Sequence, residues 1–271
     1  MNYRHAFHAG NFADLLKHAV LTVLLREATA DCFATAPLTV IDTHAGAGRY
    51  DLGGKAARRT GEAAIGALMR APDAPPAFDA LRAAVHRLNP DGGWRFYPGS
   101  PRLIADQLRP GDRLVACEMR ADDHAALGSI LPKARVLRGD GWRLGLDNLP
   151  AAPAPALALI DPPYEAPGDG MRAAAFVRAA LRRNPRAVIS LWAPIKDLTG
   201  FDALRSRLAE AGRYTLVECR LHPLDDPMRL NGCAMAVFNV PTGLDDTFSA
   251  TAAWIVGDLG EAGAASHVGH Y

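Results

Sequence analysis

The sequence predicts an α/β fold with a seven-stranded, mostly parallel sheet. Seven short runs of apolar and β-branched residues recur along the chain, and stretches with helical spacing separate most of them. The runs are "LTVID" from residue 38, "RLVACE" from 113, "ARVLRGD" from 134, "LALID" from 157, "AVISLWAP" from 187, "YTLVECRL" from 214 and "CAMAVFNV" from 233. Strands that alternate with helices imply right-handed crossovers, so we expect helices on both faces of the sheet.

The composition is that of an ordinary globular protein with one main domain. The chain has 271 residues, of which 49% are hydrophobic and 22% charged. The longest apolar stretch near the start, residues 19–25, is too short to span a bilayer, so we expect no membrane contact. The four cysteines are scattered and form no C-x-x-C pair, which indicates a protein of the reducing cytoplasm. We also expect a monomer. The net charge of +1 means that a nucleic acid would have to be bound by local basic patches.

An amphipathic helix is predicted before the first strand, lying on the sheet. Its apolar stripe contains Leu15, Leu16, Ala19, Val20, Val23 and Leu24. The lead-in "NYRHAFH" before it is aromatic and cationic and has no packing period.

Residues 51–98 are predicted to form a small helical insertion, which leaves residues 1–50 and 99–271 as the core. Far more residues separate the first strand from the second than one crossover helix needs. Two stretches with helical spacing, "RTGEAAIGALMRA" and "PPAFDALRAAVHRLN", are punctuated there by turn signals. The ordinary crossover helix then starts late, with Ser100 as its N-cap and Pro101 at its first position.

The end of the chain is predicted to hold an antiparallel strand pair at one edge of the sheet and a mobile tail. The connection "HPLDDPMRLNG" between the last two strands contains turn signals and no helix. The tail "GEAGAASHVGHY" has no strong strand or helix pattern.

A glycine-rich loop follows the first strand in "VIDTHAGAGRY". Gly46 and Gly48 allow a tight turn and a close approach of backbone to a ligand. Parallel α/β folds bind nucleosides at this place, beyond the carboxyl ends of the strands. The dinucleotide-binding pattern needs a third glycine, which is missing here, and this argues against NAD. Many glycine loops of this kind bind no ligand and serve only the geometry of the turn.

The next two strands also end on acids. Glu118 ends the second strand and could accept hydrogen bonds from both hydroxyls of a ribose. Asp140 follows the third and could accept from the exocyclic amine of an adenine. Either acid alone could be a solvated strand end, but acids after three successive strands favour a nucleoside site.

The fourth strand ends in "LIDPPYE", whose residues suit chemistry on an amine. The carboxylate of Asp161 and the carbonyl of Pro162 could hold both hydrogens of an adenine amine and turn its lone pair toward an electrophile. Prolines fix the backbone that aims these acceptors, and Tyr164 could stack on a base taken out of its helix. The alternative is a proline-stiffened turn with a capping acid.

These motifs resemble those of a known enzyme family. "DPPY" with "DTHAGAG" is similar to the motifs of S-adenosylmethionine-dependent adenine-N6 methyltransferases, in which an aromatic residue commonly stands where His44 stands here. The stretches "YRHAFHAGNFADLLKH", "DTHAGAGRY", "YPGSP" and "LIDPPYE", in this order, resemble the RlmJ family of bacterial 23S ribosomal RNA adenine-N6 methyltransferases. The resemblance runs from Tyr3 to beyond Glu165 and is loose past residue 200.

The resemblance implies a Rossmann-like class I methyltransferase fold, S-adenosylmethionine as cofactor and 23S ribosomal RNA as substrate. Asp161 would be the catalytic acceptor, and Tyr3 would close over the site and touch the RNA. The residues expected around the cofactor are Lys17, His18, His44, Gly46, Ser100, Glu118, Asp140, Gly141 and Asp161.

RNA rather than DNA follows only from the family resemblance, because one active site can serve a base extruded from either. The sequence shows no separate target-recognition domain, so the insertion and the lead-in together are expected to bind the RNA. The residues expected to contact the RNA are Lys55, Arg58, Arg59, Tyr3 and Arg4.

Two other classes of function fit the sequence less well. A zinc site built from His5, His8, His18 and His44 is not expected, because their spacing matches no common zinc pattern and no cysteine joins them. A nucleotide-binding module without catalysis would keep the glycine loop but would not need an intact "DPPY".

Overall fold

The structure, a computed structural model, describes residues 9–30, 36–53 and 62–271 and consists of a central sheet covered by helices on both faces. The helices are α1 Phe12–Thr29, α2 Glu62–Arg70, α3 Asp79–Leu88, α4 Ser100–Ala105, α5 Ala121–Ile130, α6 Gly141–Asn148, α7 Asp169–Arg183, α8 Leu198–Ala209 and α9 Asp245–Leu259, with a 3-10 helix at Pro76–Phe78. The strands are β1 Thr39–Asp42, β2 Arg49–Asp51, β3 Phe96–Pro98, β4 Arg113–Glu118, β5 Arg135–Arg138, β6 Ala156–Ile160, β7 Val188–Ile195, β8 Tyr214–Arg220, β9 Gly232–Phe238 and β10 Ala265–His270.

Among the described residues, the main sheet has eight strands in the order β10-β8-β9-β7-β6-β1-β4-β5. β1 lies between β4 and β6 and is parallel to both, and β5 and β7 continue the parallel part outward. The chain therefore winds first to one side of β1 and then to the other. The crevice created by such a reversal lies at the carboxyl ends of the strands, where parallel α/β folds bind their ligands.

The predicted antiparallel pair is confirmed, since β8 pairs antiparallel with β9. Its predicted place at one edge of the sheet is wrong, because β10 lies outside β8. The count of seven strands and the mobile tail are wrong. The tail forms β10, which pairs with β8 from Ala265 opposite Arg220 to His270 opposite Thr215. Backbone hydrogen bonds between Tyr214 and Tyr271 continue this ladder, and their rings stack with centroids 5.6 Å apart.

Helix α1 is more deeply buried than an amphipathic helix on a sheet. Every residue from Ala13 to Leu25 is buried, because α1 contacts α9, α3 and α2 as well as β9. Lys17 and His18, which the sequence pattern places on the wet face of the helix, are therefore 4% and 1% exposed.

The stretch predicted as an insertion contains α2, the 3-10 helix and α3 among its described residues. A two-stranded antiparallel ribbon of β2 and β3 closes its base. Its buried side chains, among them Leu52, Ile65 and Phe78, join the hydrophobic core on the α1 side of the sheet. The division of the chain into a core and a separate insertion stays a prediction. Within the described ranges, no helix is long and apolar enough to cross a membrane.

Candidate active site

A cavity of about 990 Å³ lies at the carboxyl ends of β1, β4, β6 and β7. The glycine loop after β1 and the "DPPY" turn after β6 both line it, as do Glu118 and Asp140. Parallel strands bring their carboxyl ends to one edge of a sheet. The structure thus brings together residues that four separate stretches of the sequence pointed to.

The glycine loop has the backbone conformation that its sequence predicts. Gly46 and Gly48 have φ angles of +63° and +75°, a region that side chains other than glycine rarely adopt. A Cβ on Gly46 would also overlap the hydroxyl oxygen of Tyr50, which accepts a hydrogen bond from the Ala47 N–H at 3.2 Å. Tyr50, absent from the sequence-based set, therefore supports the loop from below.

Glu118 connects the end of β4 to the glycine loop. Its Oε2 accepts from the Gly46 N–H at 2.9 Å, and its Oε1 accepts from the Arg120 N–H at 2.7 Å. Burial raises the pKa of Glu118, and these two backbone donors counteract that effect. Each carboxylate oxygen accepts one of these bonds and has a further lone pair for a ligand hydroxyl.

Asp140 is the N-cap of α6 and carries a second partner. Its Oδ1 accepts from the Trp142 N–H at 3.0 Å, and its Oδ2 accepts from the Arg172 guanidinium at 3.0 Å. Arg172 also lies over the Trp142 ring at 5.3 Å. At the following position, a Cβ on Gly141 would overlap the carbonyl oxygen of Thr43, so only glycine fits. Trp142 and Arg172 gave no sequence signal.

His44 forms an aromatic wall of the cavity. Its ring meets Trp142 edge to face, with centroids 4.9 Å apart, and its Nδ1 lies 2.8 Å from the Thr43 hydroxyl oxygen. Burial lowers the pKa of His44 to about 4, so the ring is neutral near pH 7. A neutral imidazole can take the place of the aromatic residue usual in this motif.

Asp42 and Ser100 form a buried pair beneath the cavity. The Ser100 hydroxyl donates to Asp42 Oδ2 at 2.7 Å, and Asp42 is fully buried at the end of β1. Burial raises the pKa of Asp42 to about 7. The prediction that Ser100 caps its helix is wrong: the N-cap is Gly99, and Ser100 is already inside α4 with its hydroxyl turned to the strand end.

Lys17 lies between two carboxylates. Its Nζ is 2.6 Å from Asp161 Oδ2 and 2.7 Å from Asp14 Oδ1, and all three side chains are at most 14% exposed. Burial alone would lower the pKa of Lys17, but the two carboxylates raise it well above its usual value. A positively charged ammonium therefore contacts the carboxylate of the "DPPY" motif.

The turn after Asp161 is held in a strained shape. Tyr164 has a φ of +51°, which is costly for a residue with a side chain. Its hydroxyl donates to the Trp192 carbonyl at 2.8 Å, and the two rings lie 5.8 Å apart. Pro162, Tyr164 and Trp192 all line the cavity, so the turn presents rigid aromatic and carbonyl groups beside Asp161.

One expected cofactor residue lies outside the cavity lining. His18 Nδ1 is 2.8 Å from the Tyr97 hydroxyl, and the two rings stack in the core on the α1 side. Five predicted RNA-contacting residues and two histidines of the rejected zinc site lie outside the described residues: Tyr3, Arg4, Lys55, Arg58, Arg59, His5 and His8. In the described part of the chain, no group of three or more His, Cys, Asp or Glu is placed to hold a metal ion.

Comparisons with known proteins agree with this geometry. The family model described as "Ribosomal RNA large subunit methyltransferase D, RlmJ" matches residues 35–269. The ribosomal RNA large subunit methyltransferase J of Escherichia coli K12 is 33% identical over 270 residues, covering 97% of this chain and 95% of that protein. The protein of the same name from Haemophilus influenzae is 29% identical over 253 residues, covering 90% and 89%.

A solved structure gives the same result at the level of the fold. A crystal structure of a Legionella pneumophila protein superposes with a TM-score of 0.88 at 25% identity, covering 97% of this chain and 98% of that one. The chain therefore belongs to the RlmJ family of ribosomal RNA large subunit methyltransferases.

Proposed function

We propose that the protein transfers a methyl group from S-adenosylmethionine to the N6 amine of a specific adenine in 23S ribosomal RNA. The observation that carries this proposal is the presence of Asp161, followed directly by Pro162, in the lining of a cavity of about 990 Å³. Family membership supports ribosomal RNA as the substrate.

The cavity suits S-adenosylmethionine by its shape and by its acceptors. The oxygens of Glu118 suit the two ribose hydroxyls, and Asp140 suits the adenine amine. Gly46 and Gly141 leave room where a Cβ would be blocked, and His44 provides a flat apolar wall. Lys17 and Ser100 are the polar groups proposed for the amino-acid end. When bound, the cofactor supplies an electrophilic methyl group on a positively charged sulfur.

The residues of this chain would prepare the amine for attack. The lone pair of an adenine amine is delocalised into the ring, so the free amine is a poor nucleophile. Asp161 and the Pro162 carbonyl would accept its two hydrogens and direct the lone pair out of the ring plane. Transfer would exchange the bond between the methyl group and the cofactor sulfur for an N–CH₃ bond, and the amine would release one proton, which Asp161 would be placed to accept.

The target base would have to leave its helix to reach Asp161. A-form RNA hides base edges in a deep, narrow groove, so an unpaired or weakly paired adenine is the expected target. The rigid rings of Tyr164 and Trp192 offer a stacking surface at the cavity. Tyr3, Arg4 and the insertion are predicted to bind the RNA around the target adenine, by contacts with its phosphates and by fit to its shape.

A competition assay tests the proposal. Purified protein with radiolabelled cofactor is offered 23S RNA fragments, DNA of matched sequence and a glutamine-bearing protein together, and mass spectrometry then maps the methylated nucleotide. Preferential methylation of an adenine in RNA is expected. Preferential methylation of DNA would favour an adenine-N6 DNA methyltransferase, and cofactor binding without any transfer would favour a non-catalytic binding module.

Calorimetry tests the cofactor by itself. We expect S-adenosylmethionine and its demethylated product to bind in the presence of a chelator, and the absence of binding at millimolar cofactor would contradict the proposal. The cytoplasmic location and the monomeric state stay predictions, and light scattering on the purified protein would test the second.

A further inference from the structure

Asp14 is a buried acid in the first turn of α1 to which the sequence motifs assign no role. Its side chain is 3% exposed. One carboxylate oxygen, Oδ1, lies 2.7 Å from Lys17 Nζ, and the other, Oδ2, accepts the Gly10 N–H at 2.9 Å. An acid near a helix N-terminus is common, and by itself it would indicate only favourable interaction with the helix dipole. The direct contact with Lys17 links Asp14 to the reacting end of the cavity.

Lys17 is shared between Asp14 and Asp161, and all three side chains are largely buried. Burial strengthens every charge interaction there, so an ammonium paired with Asp161 alone would bind that carboxylate tightly. Asp161 would then be a poorer acceptor for the hydrogens of a substrate amine. With Asp14 present, the two carboxylates and the ammonium carry a net charge of −1, and the ammonium is attracted by both carboxylates. Lys17 can therefore orient Asp161 without neutralising it.

Asp14 also links the catalytic carboxylate to two other parts of the chain. The Gly10 carbonyl accepts the Ile65 N–H of α2 at 3.2 Å, while the Gly10 N–H donates to Asp14. A continuous series of contacts thus runs from α2 through Gly10, Asp14 and Lys17 to Asp161. Gly10 stands where the chain enters α1, directly after the lead-in.

We propose that Asp14 is a positioning residue for methyl transfer, which holds the Lys17 ammonium so that Asp161 keeps an oxygen free for the substrate amine. This inference rests on the proposed function, because it gives Asp14 a part in the chemistry of Asp161.

The test compares Asp14→Asn with Asp14→Glu and with Asp246→Asn. The asparagine variant keeps the shape and removes the charge, and the glutamate variant restores the charge. Asp246 is exposed in the first turn of α9, so its variant controls for loss of an acid at a helix start. Single-turnover methylation of a 23S RNA fragment should fall at least about tenfold in Asp14→Asn, a loss of about 1.4 kcal/mol of transition-state stabilisation. Affinity for the demethylated cofactor should stay within about threefold, and Asp14→Glu should recover part of the rate.

A second readout distinguishes positioning from a merely structural role. Asp14 is one of two carboxylates that raise the pKa of Lys17, so its loss should move the alkaline limb of the rate–pH profile to lower pH. The chain has four lysines, so the Lys17 Cε resonance can be followed by NMR through the same titration. A shift of that resonance's titration to lower pH in Asp14→Asn is expected. Wild-type rates, or a slowed variant with an unmoved alkaline limb and an unmoved Lys17 titration, would overturn the proposal.

The NMR arm also separates this inference from the proposed function. If the wild-type protein methylated no substrate, the proposed function would fail by itself. An unchanged Lys17 titration in Asp14→Asn would still refute the charge coupling, whereas a lowered one would show that Asp14 controls the ammonium beside Asp161.

Discussion

Lys17 Nζ and Asp161 Oδ2 lie 2.6 Å apart although 144 positions separate the two residues in the chain. One stands in the helix before the sheet and the other at the end of β6. The contact makes α1 part of the active site as well as part of the core. It also explains how a lysine that is 4% exposed stays charged, since it is paired on two sides.

Asp161→Ala is expected to abolish methyl transfer while leaving cofactor affinity nearly intact. Asp161 is proposed to contact the amine of the substrate rather than the cofactor, so its loss should appear in the chemical step. Removing one aimed acceptor costs on the order of a hundredfold or more. Lys17 would still be paired with Asp14, which should preserve the fold. Calorimetry and single-turnover rates measure the two effects, with Asp202→Ala on the exposed side of α8 as the control. Near-normal turnover would make Asp161 structural.

Gly141→Ala is expected to weaken cofactor binding and lower stability. The added Cβ would overlap the backbone carbonyl of Thr43, so either the glycine loop or the start of α6 must move. Gly257→Ala is the matched control, because it lies inside α9 with no atom within 4 Å of the added carbon. That change should stabilise the protein by about 0.5–1 kcal/mol, since alanine favours helix. Thermal unfolding and calorimetry test both, and equal effects of the two changes would contradict the prediction.

The convergence of the acids could be predicted from the sequence because it follows from a regular feature of the fold. Glu118 ends β4, Asp140 and Asp161 follow β5 and β6, and parallel strands end at one edge of the sheet. The glycine loop could be predicted for the same reason, since its position after β1 fixes its place. These inferences needed only local patterns and one rule of topology.

The burial of Lys17 and the strand β10 could not be predicted from the sequence, because both depend on contacts between distant segments. Lys17 is buried because it meets Asp161 at the end of β6, a residue that is 144 positions away in the chain. Strand β10 was missed because its small and polar residues form a strand only when β8 offers an edge to pair with.

The pH dependence of stability should reveal two opposing groups near the glycine loop. Asp42 has a pKa raised from 3.8 to about 7, so its contribution to stability is full below pH 3.8 and is lost as the pH rises to about 7. His44 has a pKa lowered from 6.5 to about 4, so its contribution is present above pH 6.5 and is lost as the pH falls to about 4. Between these limits the two effects partly cancel.

Substitutions should separate these two effects. In Asp42→Asn only the His44 effect remains, so the free energy of unfolding should fall relative to wild type as the pH falls from about 6.5 to about 4. In His44→Phe only the Asp42 effect remains, so the free energy of unfolding should rise relative to wild type over the same range. Urea unfolding at several pH values measures this. His86→Phe, at an exposed position in α3, controls for the loss of a histidine. Equal slopes in the two variants would contradict the assignment.

Replacing Lys55, Arg58 and Arg59 together by alanine is expected to weaken RNA binding without affecting the cofactor. With a net charge of only +1, the protein cannot attract RNA by its total charge, so local cations must contact the phosphates. For every phosphate that a removed cation had neutralised, the slope of log affinity against log salt should flatten by about 0.7–0.9. Fluorescence anisotropy with a labelled 23S fragment at several salt concentrations measures that slope. The matched control replaces Arg182, Arg186 and Arg207, which are exposed on the α7 and α8 side of the sheet. If the control variant flattened the salt slope as much as the variant of Lys55, Arg58 and Arg59, the RNA-binding surface would lie elsewhere.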